Sequence, residues 1–233
     1  DVYKRQDMVR IAATGAFQTA DDGGGKPGPA VAVGAFRISR TEITVAQFAE
    51  FLNDSGQGTR KPSSTLCKWT RGSWPPGSEN LPATCITWAD ADAYARWLSR
   101  KSGRAYRLPT AAEWQYAASE GAVFEVPWGS DQKAACKFGN FWSLSGPCVG
   151  ADPYDRTAPV GSFGESSKHL ADMWGNVREW TEDCPYSAQG AAASWSLERL
   201  LGPQCARRLR GGGWDTDRTA RASPSATGTW TRS

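Results

Sequence analysis

The chain has 233 residues, enough for one large domain with its own core, and a formal net charge of +3. Beyond Arg207, Arg208 and Arg210 no block of like charge stands out, which argues against a nucleic-acid-binding stripe, and no apolar run is long enough to span a bilayer. Twelve Trp beside 25 Gly suggest a loop-rich fold pinned by large aromatic anchors.

Residues 1–7 open without an initiator Met and read as a non-native or fragmentary lead-in, with room for a signal peptide upstream. Residues 8–233 then read as a single domain. VAVGAFRIS (31–39) alternates and is partly β-branched, which predicts a strand. In TEITVAQFAEFLND, Thr44 is followed three residues later by Gln47, and Val45, Phe48 and Leu52 recur at helical spacing. CITWADADAYARWLSRKSG repeats the device with Thr87 and Asp90. It places Trp88, Ala91, Tyr94, Ala95 and Leu98 on one face, with Gly103 as the stop. RLPTAAEWQYAASEG has Thr110 and Glu113, then Trp114, Ala117 and Ala118, with Gly121 as the stop. In each case the Thr oxygen can accept from the free N–H three residues on while the third residue reaches back, so three capped helices are predicted. Residues 121–165 carry many Gly, Pro, Asn and Asp and little periodicity, a long irregular region of the kind held by a ligand, ion or disulfide. REWTED (178–183) and RRLRGGGW (207–214) read as strands or strand ends, and the whole as one α+β domain.

The six Cys lie at 67, 85, 136, 148, 184 and 205, never as C-x-x-C, which argues against a zinc knuckle. Neighbour pairing (67–85, 136–148, 184–205) fits an oxidising compartment and a secreted or cell-surface setting. About fifteen pairings are open to six Cys, and reduced buried thiols are the alternative.

Taken in order, FRISRTEITVAQFAEFLN, PATCITWADADAYARWLSRKSGRAYRLPTAAEWQYAA, TAPVGSF with ADMWGNVREWTED, and RLRGGGW resemble the formylglycine-generating-enzyme (sulfatase-modifying factor) family, from about Met8 to Trp214. The resemblance implies a C-type-lectin-like α+β fold, with small antiparallel sheets, flanking helices and long loops. It also implies structural calcium. On its own chemistry DMWGNVREW offers the carboxylates of Asp172 and Glu179 and the carbonyls of Gly175 and Val177, an oxygen set suited to a hard cation. These four positions match the family's ligand pattern. A second family site maps onto Asn140, the Phe141 carbonyl, Asp152 and the Tyr154 carbonyl, with a shorter intervening loop. The competing reading is that these acids pair with Arg178 or Arg156, or face solvent.

Enzymes of the family use two Cys after the GG[S/G][W/Y] strand to bind copper and attack the substrate cysteine; Cu(I) demands soft thiolates. The matching positions here are Thr216 and Arg221, and no Cys follows Cys205, so no copper is expected. His169 is the only His, which rules out three-His iron and two-His zinc sites, and it sits in SSKHLADMWG without a G-x-S-x-G context. No P-loop pattern is present, and Glu182 with Asp183 reads as a solvated strand end rather than a hydrolase pair.

The tail WDTDRTARASPSATGTW fits a second branch of the same fold. It resembles the C-terminal segment of variable proteins of diversity-generating retroelements, where adenine-directed change of AAC codons yields Asp, Thr, Ser, Pro, Ala and Gly. The resemblance assigns residues 210–233 as a variable segment, truncated before the usual GFR-like closing strand. It places the diversified positions at Asp215, Thr216, Asp217, Thr219, Pro224, Ser225, Ala226, Thr227 and Gly228, and leaves Trp214, Arg221 and Trp230 as scaffold. Side chains on a loop facing water tolerate such change when a rigid framework carries them. A plain surface turn has a similar composition. The expected activity is therefore non-catalytic binding of a protein or glycan on another cell or a phage target. The alternative is a formylglycine-generating oxidase or a degenerate relative.

Overall fold

The computed structural model describes residues 7–20, 27–55, 74–119, 128, 131, 134–141, 153–183 and 207–215. Strands β1 (Met8–Ile11), β2 (Thr14–Ala20), β3 (Pro27–Val33) and β4 (Phe36–Ser39) come first. They are followed by helices α1 (Val45–Ser55), α2 (Trp88–Ser102), α3 (Ala111–Ala118) and the short α4 (Ala135–Phe138), then by strands β5 (Glu179–Trp180) and β6 (Leu209–Arg210). The strands pair antiparallel as β1 with β4, β2 with β3, and β5 with β6. Few helices and small antiparallel sheets give the α+β class expected from the sequence.

The three capped helices form where their local signals lie. Thr44 Oγ1 accepts from Gln47 N at 3.2 Å while Gln47 Oε1 accepts from Thr44 N at 2.8 Å. Thr87 with Asp90 and Thr110 with Glu113 close the same reciprocal loops, so Asp serves as well as Glu in the second helix. Gly103 ends α2 in the left-handed region at φ 70°, a conformation that costs glycine little. α3 stops at Ser119, short of the predicted Gly121, with Ser119 N donating to the Gln115 carbonyl.

The strand predicted over 31–39 is two strands, because the chain leaves β3 at Val33 and re-enters β4 at Phe36 with a different partner. β5 and β6 cover only two residues each of the longer stretches predicted at 178–183 and 207–214. The chain beside them is held by single contacts instead: Trp88 Nε1 donates to the Thr181 carbonyl, Trp180 Nε1 to the Ile86 carbonyl, and Arg207 stacks 3.7 Å from the Trp88 ring centroid.

Two apolar clusters divide the interior. One joins α1 to α2 through Phe48, Phe51, Leu52, Tyr94, Trp97 and Leu98. Asp54 pins the same pair of helices, accepting from Trp97 Nε1 and Lys101 Nζ at 2.7 Å each. The other cluster sets Trp114 against Ile11, Ile38, Trp128, Phe141, Met173 and Trp174. Trp114 has no exposed surface, and removing a side chain of that size from a core costs about 3–5 kcal/mol. Trp128 anchors this core as the aromatic composition suggested, and Trp74 packs on the first cluster; Trp69 and Trp142 lie outside the described residues.

Candidate functional site

The DMWGNVREW stretch runs through the middle of the molecule as a tight turn. Asp172, Gly175 and Asn176 all take positive φ, at 57°, 86° and 58°. Gly175 is required there for space as well: a Cβ would lie 2.3 Å from the Asn140 carbonyl oxygen. Asn176 is wholly buried and acts as a hub. Its N–H donates to the Asn140 carbonyl at 2.9 Å, and its carbonyl accepts from Trp214 N at 2.8 Å. Its side chain accepts from Ala158 N at 2.9 Å and donates to Glu42 Oε1 at 2.9 Å. One residue, through its side-chain amide and its backbone, thus joins the β4–α1 loop, Ala158 and the start of the C-terminal segment.

Around this hub three carboxyls gather. Asp172 is 1% exposed; its Oδ1 accepts from Phe163 N at 3.2 Å and its Oδ2 from Gly161 N. Glu179 accepts from Trp114 Nε1 at 3.1 Å. Glu42 is buried and within hydrogen-bonding reach of Asp172, yet its Oε2 has no donor. Burial, then the nearby Asp172, raises Glu179 to about 7. Burial and the charges of Asp172 and Glu179 push Glu42 well above the ordinary carboxylate range, and burial lifts Asp172 too. Two acceptor oxygens facing each other away from water require either a proton or a cation between them.

This oxygen-only set fits a hard cation in chemistry. Among the described residues no three His, Cys, Asp or Glu side chains are placed to hold a metal, so these carboxyls do not by themselves form a cation cage. Each carboxylate oxygen has lone pairs for an amide and a cation together, so the amide bonds to Asp172 leave it able to serve. The two Arg of the competing reading make other contacts. Arg178 pairs with Asp215, Nη1 to Oδ1 at 3.1 Å, and Arg156 stands 5.8 Å from the Trp214 ring centroid.

At the second predicted calcium position, Asn140 is buried and donates through Nδ2 to the Arg156 carbonyl at 2.6 Å. Phe141 is a core residue, while Tyr154 is exposed and meets Phe163 edge-on. Asp152 lies outside the described residues. Of the predicted variable positions only Asp215 is described, and it is exposed; Thr216, Asp217, Thr219, Pro224, Ser225, Ala226, Thr227 and Gly228 lie outside, as does Arg221. Cys85 and Cys136 are both disulfide-bonded, and the other four Cys lie outside the described residues. His169 sits at φ 61° with its side chain 75% exposed, a surface turn residue.

Sequence reasoning missed Glu42 and Asn176. For Glu42 the signal was an acid between Thr41 and Ile43 in the lead-in to a capped helix; its buried partner lies 134 residues away. For Asn176 the signal was the Gly-Asn pair itself, which sequence marks only as a turn.

Residues 2–231 match the family described as the sulfatase-modifying factor enzyme 1-like domain, a span that includes most of the stretch read as lead-in and the tail. A formylglycine-generating enzyme of Mycobacterium tuberculosis is 30% identical over 78% of this chain and 77% of its own. The chain spans about half the length of several other curated formylglycine-generating enzymes. The solved structure of PvdO from Pseudomonas aeruginosa superposes with a TM-score of 0.72 at 28% identity, covering 93% of this chain and 86% of that one. Treponema denticola variable protein 1 shares the fold, with a TM-score of 0.61 at 20% identity over 90% and 84% of the two chains. The capped helices, the Gly-Asn turn and the GGGW stretch together with these matches place the chain in the formylglycine-generating-enzyme (sulfatase-modifying factor) family.

Proposed function

We propose that this chain is a non-catalytic, ligand-binding member of the family whose C-terminal segment is a diversified recognition surface. The observation that carries the reading is chemical: Thr216 and Arg221 occupy the positions where the family's copper-binding thiolates stand, and no Cys follows Cys205. Neither a hydroxyl nor a guanidinium can replace a soft thiolate on Cu(I). The surrounding residues are the small set that adenine-directed change of AAC codons produces, interrupted by scaffold residues. The ligand class is a protein or glycan on another cell or a phage target, met as antibody loops meet theirs, from a framework that stays put.

Support for the framework comes from the hub. The Trp214 N–H is held by the wholly buried Asn176, and the residue after it, Asp215, faces solvent. In this reading calcium is a structural ion held by Asp172, Glu179 and the carbonyls of Gly175 and Val177, with Asn140, Phe141, Asp152 and Tyr154 as a second site. It supplies positive charge among acids that otherwise repel. The disulfide-bonded Cys85 and Cys136 suit a secreted or cell-surface setting.

The test is direct. Purified protein is incubated with copper, a reductant, oxygen and a Cys-containing sulfatase peptide, and the peptide mass is followed. No formylglycine should form above the protein-free control. Turnover would overturn the assignment of Thr216 and Arg221 and restore the oxidase reading.

A further inference from the structure

Among the described residues three cations lie over aromatic rings. Lys168, over Tyr116, donates through Nζ to the Ser119 carbonyl. Arg207, over Trp88, donates through Nη1 to the Glu182 carbonyl at 2.6 Å. Arg156, over the half-buried Trp214, differs from both. It is exposed, its Cζ stands 5.8 Å from the ring centroid, and its guanidinium makes no hydrogen bond or ion pair among the described residues, the adjacent Asp155 included. A ring attracts the charge of a guanidinium without using its in-plane N–H donors, so those of Arg156 stay available. Asp215, the exposed acid next to Trp214, is taken by Arg178 at 3.1 Å. The backbone beneath the stack is fixed from inside. The Arg156 carbonyl accepts from Asn140 Nδ2 at 2.6 Å, and Ala158 N donates to Asn176 Oδ1 at 2.9 Å. The Asn176 carbonyl accepts from Trp214 N at 2.8 Å, and Asn176 N donates to the Asn140 carbonyl at 2.9 Å. Two buried, linked asparagines therefore set positions 156 and 214 relative to each other, and none of these bonds uses a side chain beyond Trp214.

We propose that Arg156, held over Trp214, is a constant contact of the recognition surface that binds a carboxylate side chain of a protein ligand, whatever residues follow Trp214. The inference rests on the reading of the C-terminal segment as a recognition surface and names a part of that surface that does not vary. A guanidinium fork matches a carboxylate in geometry and is always charged, so it recognises acids without needing pH tuning. Resting the cation on a ring whose backbone is pinned reduces the freedom lost when the ligand arrives. The partner is acidic by charge complementarity, since Arg156 is an exposed cation whose own chain supplies no counter-ion.

NMR of the isotope-labelled full chain, titrated at low salt with a tri-glutamate peptide capped at both ends and with capped tri-glutamine as the neutral control, tests this. The reporters are the Arg156 Nε–H and Trp214 Nε1–H signals, identified by their loss in Arg156→Gln and Trp214→Phe. In the native chain both should move and saturate with tri-glutamate and stay still with tri-glutamine. In Arg156→Gln the affinity read at Trp214 should fall about three- to tenfold, the worth of one partly screened charged contact. Arg156→Lys, which keeps the charge without the fork, should recover only part of the loss. Thermal melts confirm that each variant is folded; Arg156 is exposed, so its replacement is tolerated. Native signals that ignore tri-glutamate overturn the proposal, as does an affinity unchanged by Arg156→Gln. An oligogalacturonate that binds through Arg156 where the peptide does not also overturns it, because the carboxylate is then a sugar's. The result is separable from the reading of the tail: the peptide contact stands or falls on Arg156, whereas diversification is read from the gene locus and catalysis from the copper assay.

Discussion

Glu42, Asp172 and Glu179 set an electrostatic problem that the protein alone solves only with a proton. A carboxyl raised from an ordinary 4.5 to about 7, as Glu179 is, keeps its proton in the folded chain where the unfolded chain has lost it. Its contribution to stability is full below about pH 4.5 and is lost as pH rises through about 7. Glu42, raised for the same reasons, adds to the same loss. In chelator the melting temperature should therefore fall between pH 4.5 and 7.5. Glu42→Gln keeps the acceptor for Asn176 and gives Asp172 a donor, so in chelator at pH 7.5 it should melt higher, by about 1 kcal/mol of stability. Calcium should raise the native melting temperature, since a ligand bound only to the folded state stabilises it, and raise that of the variant less. A native melt flat in pH and indifferent to calcium contradicts both the repulsion and the cation site.

The helices owe their ends to local chemistry and their stability to burial. Thr110→Ala removes a hydroxyl that accepts from Glu113 N at 3.1 Å. The Glu113 N–H then loses its acceptor, while the Glu113 carboxylate keeps the Thr110 N–H at 2.8 Å and Arg107 at 2.6 Å. The expected cost is about 1 kcal/mol, read from denaturant unfolding. A cost near zero would mean that the Arg107 bridge alone holds the helix start. These ends were legible in the sequence because a cap and its partner are three residues apart. The strands were less so: β5 and β6 are two residues long and exist because Thr181 and Arg208 meet across a long separation. β1 and β2 carry no clean alternation, so their pairing depends on partners that periodicity does not reveal. Trp97, beyond the predicted face of α2, is buried because Asp54 of α1 accepts its N–H. The acids at 172 and 179 stand out in the sequence on either side of the Gly-Asn turn, whereas Glu42 and Asn176 acquire their roles only when segments 134 residues apart are folded together.

Across the whole molecule, the family framework and the chemistry at its C-terminal end point in different directions. The framework is shared with formylglycine-generating enzymes, whereas the proposal that this chain binds rather than catalyses rests on Thr216 and Arg221. Among the described residues the interior is held by Asn176 and by two apolar clusters, whose buried residues all precede Asn176 in the chain. The most direct test is to sequence the DNA around the gene in several isolates. An imperfect repeat of the segment coding for residues 210–233, differing at adenines and lying beside a reverse-transcriptase gene, is expected, with substitutions concentrated at Asp215 and the eight other named positions. A locus with neither repeat nor reverse transcriptase, and an unchanging tail across isolates, would contradict it.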